Sequence, residues 1–158
     1  MLQRFWAWYE KRYRVIAPLT AGLFLLQLVH LYWMTTNVVF FRLYGYPLWN
    51  PSEFWNSVIA IVDYTEIPAI ITSTLLYLHQ LRQGGGWRSI LFLILINSQW
   101  VHLFWITDEI IYANLTGAVL LPLPAWLSWL AISIDYLELP VIFDTIRSSL
   151  RLLRNKKS

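Results

Sequence analysis

The sequence predicts an all-α integral membrane protein: a four-transmembrane-helix bundle from two tandem parallel-repeat helical hairpins, plus a short N-terminal interfacial helix. Three observations predict this fold class. The composition is 58% hydrophobic and 13% charged, whereas soluble domains carry about 25% charged residues. Four long apolar runs follow one another along the chain, and its second half repeats its first. A chain of 158 residues is enough for one domain, so we expect residues 1–158 to form a single membrane domain.

Apolar runs long enough to cross a membrane follow an aromatic and basic N-terminal segment. Residues 1–14 mix Trp and Tyr with Arg and Lys, which is typical of an interfacial helix lying at the lipid headgroups. A transmembrane helix needs ~20 predominantly apolar residues, and a helix pairs its backbone polar groups internally. We therefore predict one span in each of the runs Ile16 to Phe41, Phe54 to Leu81, Trp87 to Ala113, and Ala125 to Leu150.

Positive charge is concentrated in the segments that flank the apolar runs. Basic residues lie before the first run, around Gly84–Gly86 and at the end of the chain, whereas Arg42 lies in the opposite set of loops. The positive-inside rule then predicts that both termini are cytoplasmic. This pattern favours membrane lipids as partners and no nucleic acid, which would require a basic face on a folded surface. The absence of cysteine excludes disulfides, thiol catalysis and thiolate metal sites.

A shift of 72 positions aligns the chain with itself without a gap. Residues 16–82 then form repeat 1 and residues 87–154 form repeat 2, and such internal similarity indicates a duplicated architecture. Each repeat crosses the membrane twice, so both hairpins enter from the same side and are related by an axis along the membrane normal. The matched polar positions are Gln27 with Gln99, His30 with His102, Asp63 with Asp135, Glu66 with Glu138, and Pro68 with Pro140.

Ionisable residues lie in the middle of the predicted spans at matching positions of the two repeats. A charged side chain at the bilayer centre costs at least ~2.5 kcal/mol, so such residues are functional candidates. The carboxylates of each repeat are three positions apart and therefore share a helical face. The two prolines each free a backbone carbonyl, which needs a polar partner inside the membrane. We assign the acid/base or counter-ion roles to Asp63, Glu66, Asp135 and Glu138, and proton-partner roles to His30 and His102.

Other side chains on the same helices are predicted to surround this constellation. Glutamines share a face with the histidines, aromatic residues follow them, and two acids lie toward the far end of the third span. We assign ligand-binding roles to Gln27, Gln99, Trp33, Trp105, Tyr64, Tyr136, Asp108 and Glu109. His79 lies beside Gln80 near a helix end, and we expect it to be solvated.

The leading interpretation is a site near the bilayer midplane that binds a lipophilic small molecule. Carboxylates and imidazoles in an apolar pocket suit acid/base chemistry of an isomerase type, and aromatic walls suit an apolar ligand. This interpretation requires no cofactor.

Two alternatives use the same residues. The first is a divalent metal site for iron, manganese or zinc, with His30, His102, Asp63, Glu66, Asp135 and Glu138 as ligands. Such a site would serve a di-metal enzyme or the transport of ions or protons. The second is structural: polar side chains hydrogen-bond helices together in lipid, as in a subunit of a homodimer or a larger membrane complex.

The chain resembles the EXPERA family, which includes the emopamil-binding sterol isomerases and the sigma-2 receptor. The resemblance rests on His30 with Tyr32–Trp33, on Tyr46–Pro47, on Asp63-x-x-Glu66-x-Pro68, and on His102 with Asp108 and Glu109. It implies a small four-helix membrane protein with histidines and carboxylates inside the bundle. It also implies an aromatic pocket for a sterol-like or isoprenoid-like ligand.

Overall fold

The computed structural model describes residues 2–112, 116–121 and 124–154, and its regular secondary structure is helical. The first span consists of a long α-helix, one π-helical turn and a short α-helix, and the third ends in a second π-helical turn. The second and fourth spans are each divided into two α-helices. The elements are α1 Leu2–Trp33, π1 Met34–Val39, α2 Phe40–Tyr44, α3 Glu53–Tyr64, α4 Glu66–Arg82, α5 Trp87–Ile106, π2 Thr107–Tyr112, α6 Ala125–Tyr136 and α7 Leu139–Arg154.

Four helical segments are long and apolar enough to cross a membrane, which confirms the predicted fold class. They are Gln3–Tyr44, Phe54–Arg82, Trp87–Ile106 and Ala125–Arg154. Large apolar side chains such as Val15, Ile61, Ile94 and Phe143 are exposed on the outside of the bundle, each by more than half of its surface. A soluble protein rarely exposes so much apolar surface, whereas lipid solvates it well.

The N-terminal segment is helical, but it does not form a separate element. Helix α1 runs without a break from Leu2 to Trp33, with Pro18 inside it. Residues 2–14 contain no glycine or proline to end a helix, so the interfacial segment continues into the first span. Trp6 and Tyr9 are buried there, and the Arg82 guanidinium lies 4.4 Å from the Trp6 ring centroid. The segment therefore packs against the second span.

The four spans form a ring in which each packs most extensively against two others. The first span packs against the second and fourth, and the third span packs against the same two. The hydroxyl of Ser149 donates a hydrogen bond to the carbonyl of Ala17 at 2.8 Å. This bond joins the start of the first span to the end of the fourth, so these two spans are antiparallel.

The sequence repeat is reproduced in the backbone. Helix α3 is separated from α4 at Thr65, and α6 is separated from α7 at Leu137–Glu138, which is the equivalent position of repeat 2. Each break lies just before the repeat-matched proline, which cannot donate a backbone hydrogen bond. Gly45 and Gly117 are also equivalent, and both have positive φ, 80° and 75°, a conformation that glycine adopts without steric cost. The two halves are therefore duplicated hairpins in structure as well as in sequence.

Candidate functional site

Six ionisable residues from all four spans meet inside the bundle. Each is at most 4% exposed, although each carries a titratable group. We call this set the central cluster: His30 on α1, Asp63 on α3, Glu66 on α4, His102 on α5, Asp135 on α6, and Glu138 in the turn before α7. Charged side chains are almost never buried without partners, so the partners of these six define what the cluster can do.

Two glutamines form hydrogen bonds to the backbone beside the helix breaks, next to the carboxylates of the cluster. Gln27 donates from Nε2 to the Val62 carbonyl at 3.3 Å and to the Thr65 hydroxyl at 3.1 Å. In the other repeat, Gln99 donates from Nε2 to the Ile134 carbonyl at 3.0 Å. Polar partners of this kind make an interrupted helix tolerable inside a membrane. The glutamines predicted to bind ligand thus have a clear role in shaping the backbone beneath the cluster.

His30 lies between the two aspartates. Its Nδ1 hydrogen-bonds to Oδ1 of Asp63, and because a carboxylate accepts, Nδ1 carries the proton. Its Nε2 lies 3.4 Å from Oδ2 of Asp135, without the geometry of a hydrogen bond. In the neutral ring, Nε2 therefore presents a lone pair toward Asp135.

His102 has the same division of roles with different partners. Its Nδ1 donates to the Ala131 carbonyl at 3.3 Å, which fixes the proton on that nitrogen. Its Nε2 lies 3.9 Å from Oδ1 of Asp135 and has no hydrogen-bond partner in the described part of the chain. Both histidines thus direct an Nε2 atom without a hydrogen-bond partner among the described residues toward the same aspartate.

The two imidazole rings pack directly against each other. Their centroids are 5.4 Å apart and their planes meet at 77°, an edge-to-face contact. This contact joins the first and third spans across the pseudo-twofold axis. It also leaves no space for a ligand of sterol size between the two rings.

Three carboxylates form the other side of the cluster. Glu66, Asp135 and Glu138 each offer an oxygen, and these oxygens lie within 4.8 Å of one another. His30, His102 and Asp135 form a second such group, so Asp135 belongs to both. Within the described residues, Oε1 of Glu66, both carboxylate oxygens of Glu138, and Oδ2 of Asp135 have no hydrogen-bond partner. Buried polar atoms are normally paired, and a cation or protons could satisfy these unpaired acceptors.

Two tryptophans lie beside the histidines at equivalent positions of the two repeats. Trp33 lies 5.8 Å from His30 between ring centroids, and Trp105 lies at the same 5.8 Å from His102. The tyrosines make hydrogen bonds between repeats, from Tyr136 to Thr35 at 2.5 Å and from Tyr64 to Thr107 at 3.3 Å. The two tryptophans therefore flank the central cluster, whereas the two tyrosines link the two halves of the bundle.

Asp108 is buried, and its carboxylate is hydrogen-bonded to a loop. Its carboxylate accepts hydrogen bonds from the backbone N–H groups of Leu120 at 2.8 Å and Leu121 at 3.3 Å. These contacts hold the segment before the fourth span against the end of the third span. The side chain of Glu109, also assigned to the site from the sequence, lies outside the described part of the structure.

His79 differs from the expectation of a solvated side chain. It is 5% exposed and packs among aromatic rings of α1, with centroid distances of 5.3 Å to Tyr9 and 5.2 Å to Tyr13. The expectation was wrong because residues 2–14 continue the first helix and cover the end of the second span. The aromatic residues of that segment were the signal in the sequence for a packed partner.

The fold and the cluster define a class of protein: a multi-pass helical membrane bundle with a buried His/Asp/Glu group at its centre. Comparison with protein-family models, with curated proteins and with solved structures found no match to this chain.

Proposed function

We propose that this protein is a membrane metalloprotein that binds a divalent transition-metal ion between Nε2 of His30, Nε2 of His102 and the carboxylate of Asp135. One observation carries the proposal. Both imidazoles donate from Nδ1 to an oxygen acceptor and direct an unpaired Nε2 toward Asp135. Metal-ligating histidines characteristically have this arrangement, in which the outer N–H is held by a carboxylate or a backbone carbonyl.

The distances agree with a metal site. Nε2 of His30 and Nε2 of His102 lie 3.4 and 3.9 Å from oxygens of Asp135. Ligands placed about 2.0–2.2 Å from a shared ion are separated from one another by roughly 3–4 Å. A metal ion at this position would also satisfy the buried nitrogens, which have no other hydrogen-bond partner in the described residues.

The donor set indicates the class of ion. Imidazole suits zinc, copper, iron and nickel, and carboxylate suits harder ions such as manganese. A mixed set of two imidazoles and carboxylates, in a chain without cysteine, favours iron, manganese or zinc. Metal binding in turn would neutralise carboxylates that are costly to ionise inside a membrane.

Elemental analysis of the detergent-purified protein tests this proposal directly. The wild-type chain should retain iron, manganese or zinc at one or more ions per chain, or bind it after incubation with each metal and desalting. His102→Gln should lose this metal because it removes a ligand without adding charge. The matched control is His79→Gln, since His79 is a buried histidine outside the central cluster.

Circular dichroism and gel filtration would establish that each variant remains folded. A folded wild-type protein that binds none of the three metals would refute the proposal. Equal metal content in His102→Gln and His79→Gln would refute the assignment of the ligands.

A second candidate function is proton transfer to a lipophilic ligand, favoured by the position of His30 between two aspartates. A base held between two carboxylates can relay protons in an apolar site. The sterol-like or isoprenoid-like ligand belongs to this second proposal. Lipid extraction of metal-free protein followed by mass spectrometry tests it. A single enriched lipid, absent from an Asp135→Asn sample, would support it, and an unselective lipid profile would count against it.

A further inference from the structure

We infer that the central cluster holds two divalent ions, with Glu66 and Glu138 binding the second ion and Asp135 bridging both. This inference rests on the proposed function and extends it to the number of ions. The first ion lies between His30, His102 and Asp135.

Geometry supports a second position. Glu66, Asp135 and Glu138 meet with their oxygens within 4.8 Å of one another, and each is at most 2% exposed. The hydrogen bond that orients His30 is made by Asp63, so it uses none of these three carboxylates. Both oxygens of Glu138 and Oε1 of Glu66 have no hydrogen-bond partner among the described residues. The unpaired atoms are oxygens of carboxylates, which are ligands for cations.

Asp135 is positioned to bind both ions. Its Oδ2 lies 3.4 Å from Nε2 of His30, and its Oδ1 lies 3.9 Å from Nε2 of His102. The same carboxylate belongs to the group formed with the two glutamates. A carboxylate has two oxygens, so it can bind one ion with each of them.

Charge balance is compatible with two ions. The cluster contains four carboxyl groups, those of Asp63, Glu66, Asp135 and Glu138, beside two imidazoles. Two divalent cations neutralise all four as carboxylates, whereas with one cation two of the carboxyl groups would have to keep their protons. Uncompensated charge is very costly in a medium of low dielectric constant. With both ions bound, the glutamates can ionise at the centre of the bundle.

The two positions differ in their donors. The first has two nitrogens, and the second has only carboxylate oxygens, which suit harder ions such as manganese and iron(II). Two ions that share a bridging carboxylate lie about 3.5–4 Å apart. At this distance two Mn²⁺ ions are magnetically coupled, which gives the inference a spectroscopic readout besides stoichiometry.

The experiment counts ions in the 158-residue chain in detergent after dialysis against Mn²⁺ and, in parallel, against Zn²⁺. Wild type should bind two ions per chain, and its manganese form should show the spectrum of a coupled pair in electron paramagnetic resonance. Glu66→Gln and, separately, Glu138→Gln should bind one ion per chain and show the six-line spectrum of isolated Mn²⁺. The matched control is Asp144→Asn. Asp144 is an acid of the fourth span that pairs with Arg88 at 2.7 Å outside the cluster, and this variant should bind two ions per chain.

The outcomes separate this inference from the proposed function. One ion per wild-type chain, retained in Glu66→Gln and lost in His102→Gln, would overturn the second position and leave the first. No ion in wild type with either metal would overturn both. If a glutamine variant does not fold, Glu66→Asp replaces it: it keeps the charge but shortens the side chain, so it should weaken the second ion at least 10-fold relative to wild type. Unchanged affinity for both ions in Glu66→Asp would overturn the assignment.

Discussion

The carboxylate of Asp63 holds Nδ1 of His30, and Asp135 faces the opposite nitrogen of the same ring at 3.4 Å. The repeat makes these two aspartates equivalent in sequence, yet they contact opposite edges of one imidazole. Asp63 therefore orients the histidine, whereas Asp135 lies where the two Nε2 atoms converge. In the proposed metal site, Asp63 would therefore position a ligand, whereas Asp135 would itself bind the ion.

Asp63→Asn should weaken metal binding without changing the number of ions bound at saturation. The amide can still orient His30, but it lacks the charge that increases the basicity of the ring, and loss of such outer partners typically costs 10–100-fold in metal affinity. Asp135→Asn, in contrast, should abolish binding at both positions. Competition titration against a chelator gives the affinity, and elemental analysis gives the stoichiometry. Loss of one ion from Asp63→Asn at saturating metal would show instead that Asp63 is a ligand.

Repeat and spacing in the sequence indicated the six residues of the central cluster, which lie together in the structure. The repeat pairs His30 with His102, and the i, i+3 spacing puts Asp63 and Glu66 on one helical face. The structure brings these residues together because the four spans pack side by side, so that matching positions of the two hairpins lie at the same depth in the bundle. The sequence also predicted a backbone carbonyl freed by each of Pro68 and Pro140, and the helix breaks lie just before these two prolines.

Differences between the two repeats could not be predicted from the sequence. A twofold repeat treats His30 and His102 alike, but Nδ1 of His102 bonds to the Ala131 carbonyl rather than to an aspartate. Such ring orientations depend on backbone contacts between distant helices. Asp108 was likewise assigned a ligand-binding role from the sequence. Nothing in its local sequence shows that its carboxylate accepts hydrogen bonds from the N–H groups of Leu120 and Leu121.

The hydrogen bond between Thr35 and Tyr136 should contribute measurably to the stability of the bundle. It joins the two repeats at 2.5 Å, while its symmetry partner, between Thr107 and Tyr64, is longer at 3.3 Å. Side-chain hydrogen bonds between membrane helices contribute about 0.6 kcal/mol on average and at most about 1.7. Tyr136→Phe should therefore lower the free energy of unfolding by an amount in that range, and Tyr64→Phe by less.

Unfolding of the detergent-solubilised protein by increasing fractions of sodium dodecyl sulfate measures both effects. Tyr44→Phe is the matched control, since Tyr44 is 60% exposed on the outside of the bundle. An equal loss in Tyr136→Phe and Tyr44→Phe would mean that the bond between repeats contributes nothing.

The orientation of the protein can be tested with single cysteines, because the native chain has none. The positive-inside rule predicts cytoplasmic termini and a cytoplasmic loop around Gly84–Gly86. A membrane-impermeant maleimide should label Asn50→Cys in right-side-out vesicles and Gln83→Cys only in inverted vesicles. The reverse pattern would place the termini outside, and labelling of both positions from one side would contradict the count of four spans.

Metal binding should quench the fluorescence of two particular tryptophans. Trp33 and Trp105 lie 5.8 Å from His30 and His102, respectively, between ring centroids, so an ion on the Nε2 atoms lies within short quenching range of both indoles. Co²⁺ quenches indoles at such distances, whereas Zn²⁺, with its filled d shell, does not. Titration with Co²⁺ should therefore reduce the total emission of the ten tryptophans only in part, and the reduction should saturate at the metal stoichiometry.

The Trp33→Phe/Trp105→Phe variant should lose this saturable component while binding the same amount of metal. Trp100→Phe, which removes an exposed indole of the third span, should keep it. Saturable quenching that persists in the double variant would place the bound ion away from the two histidines.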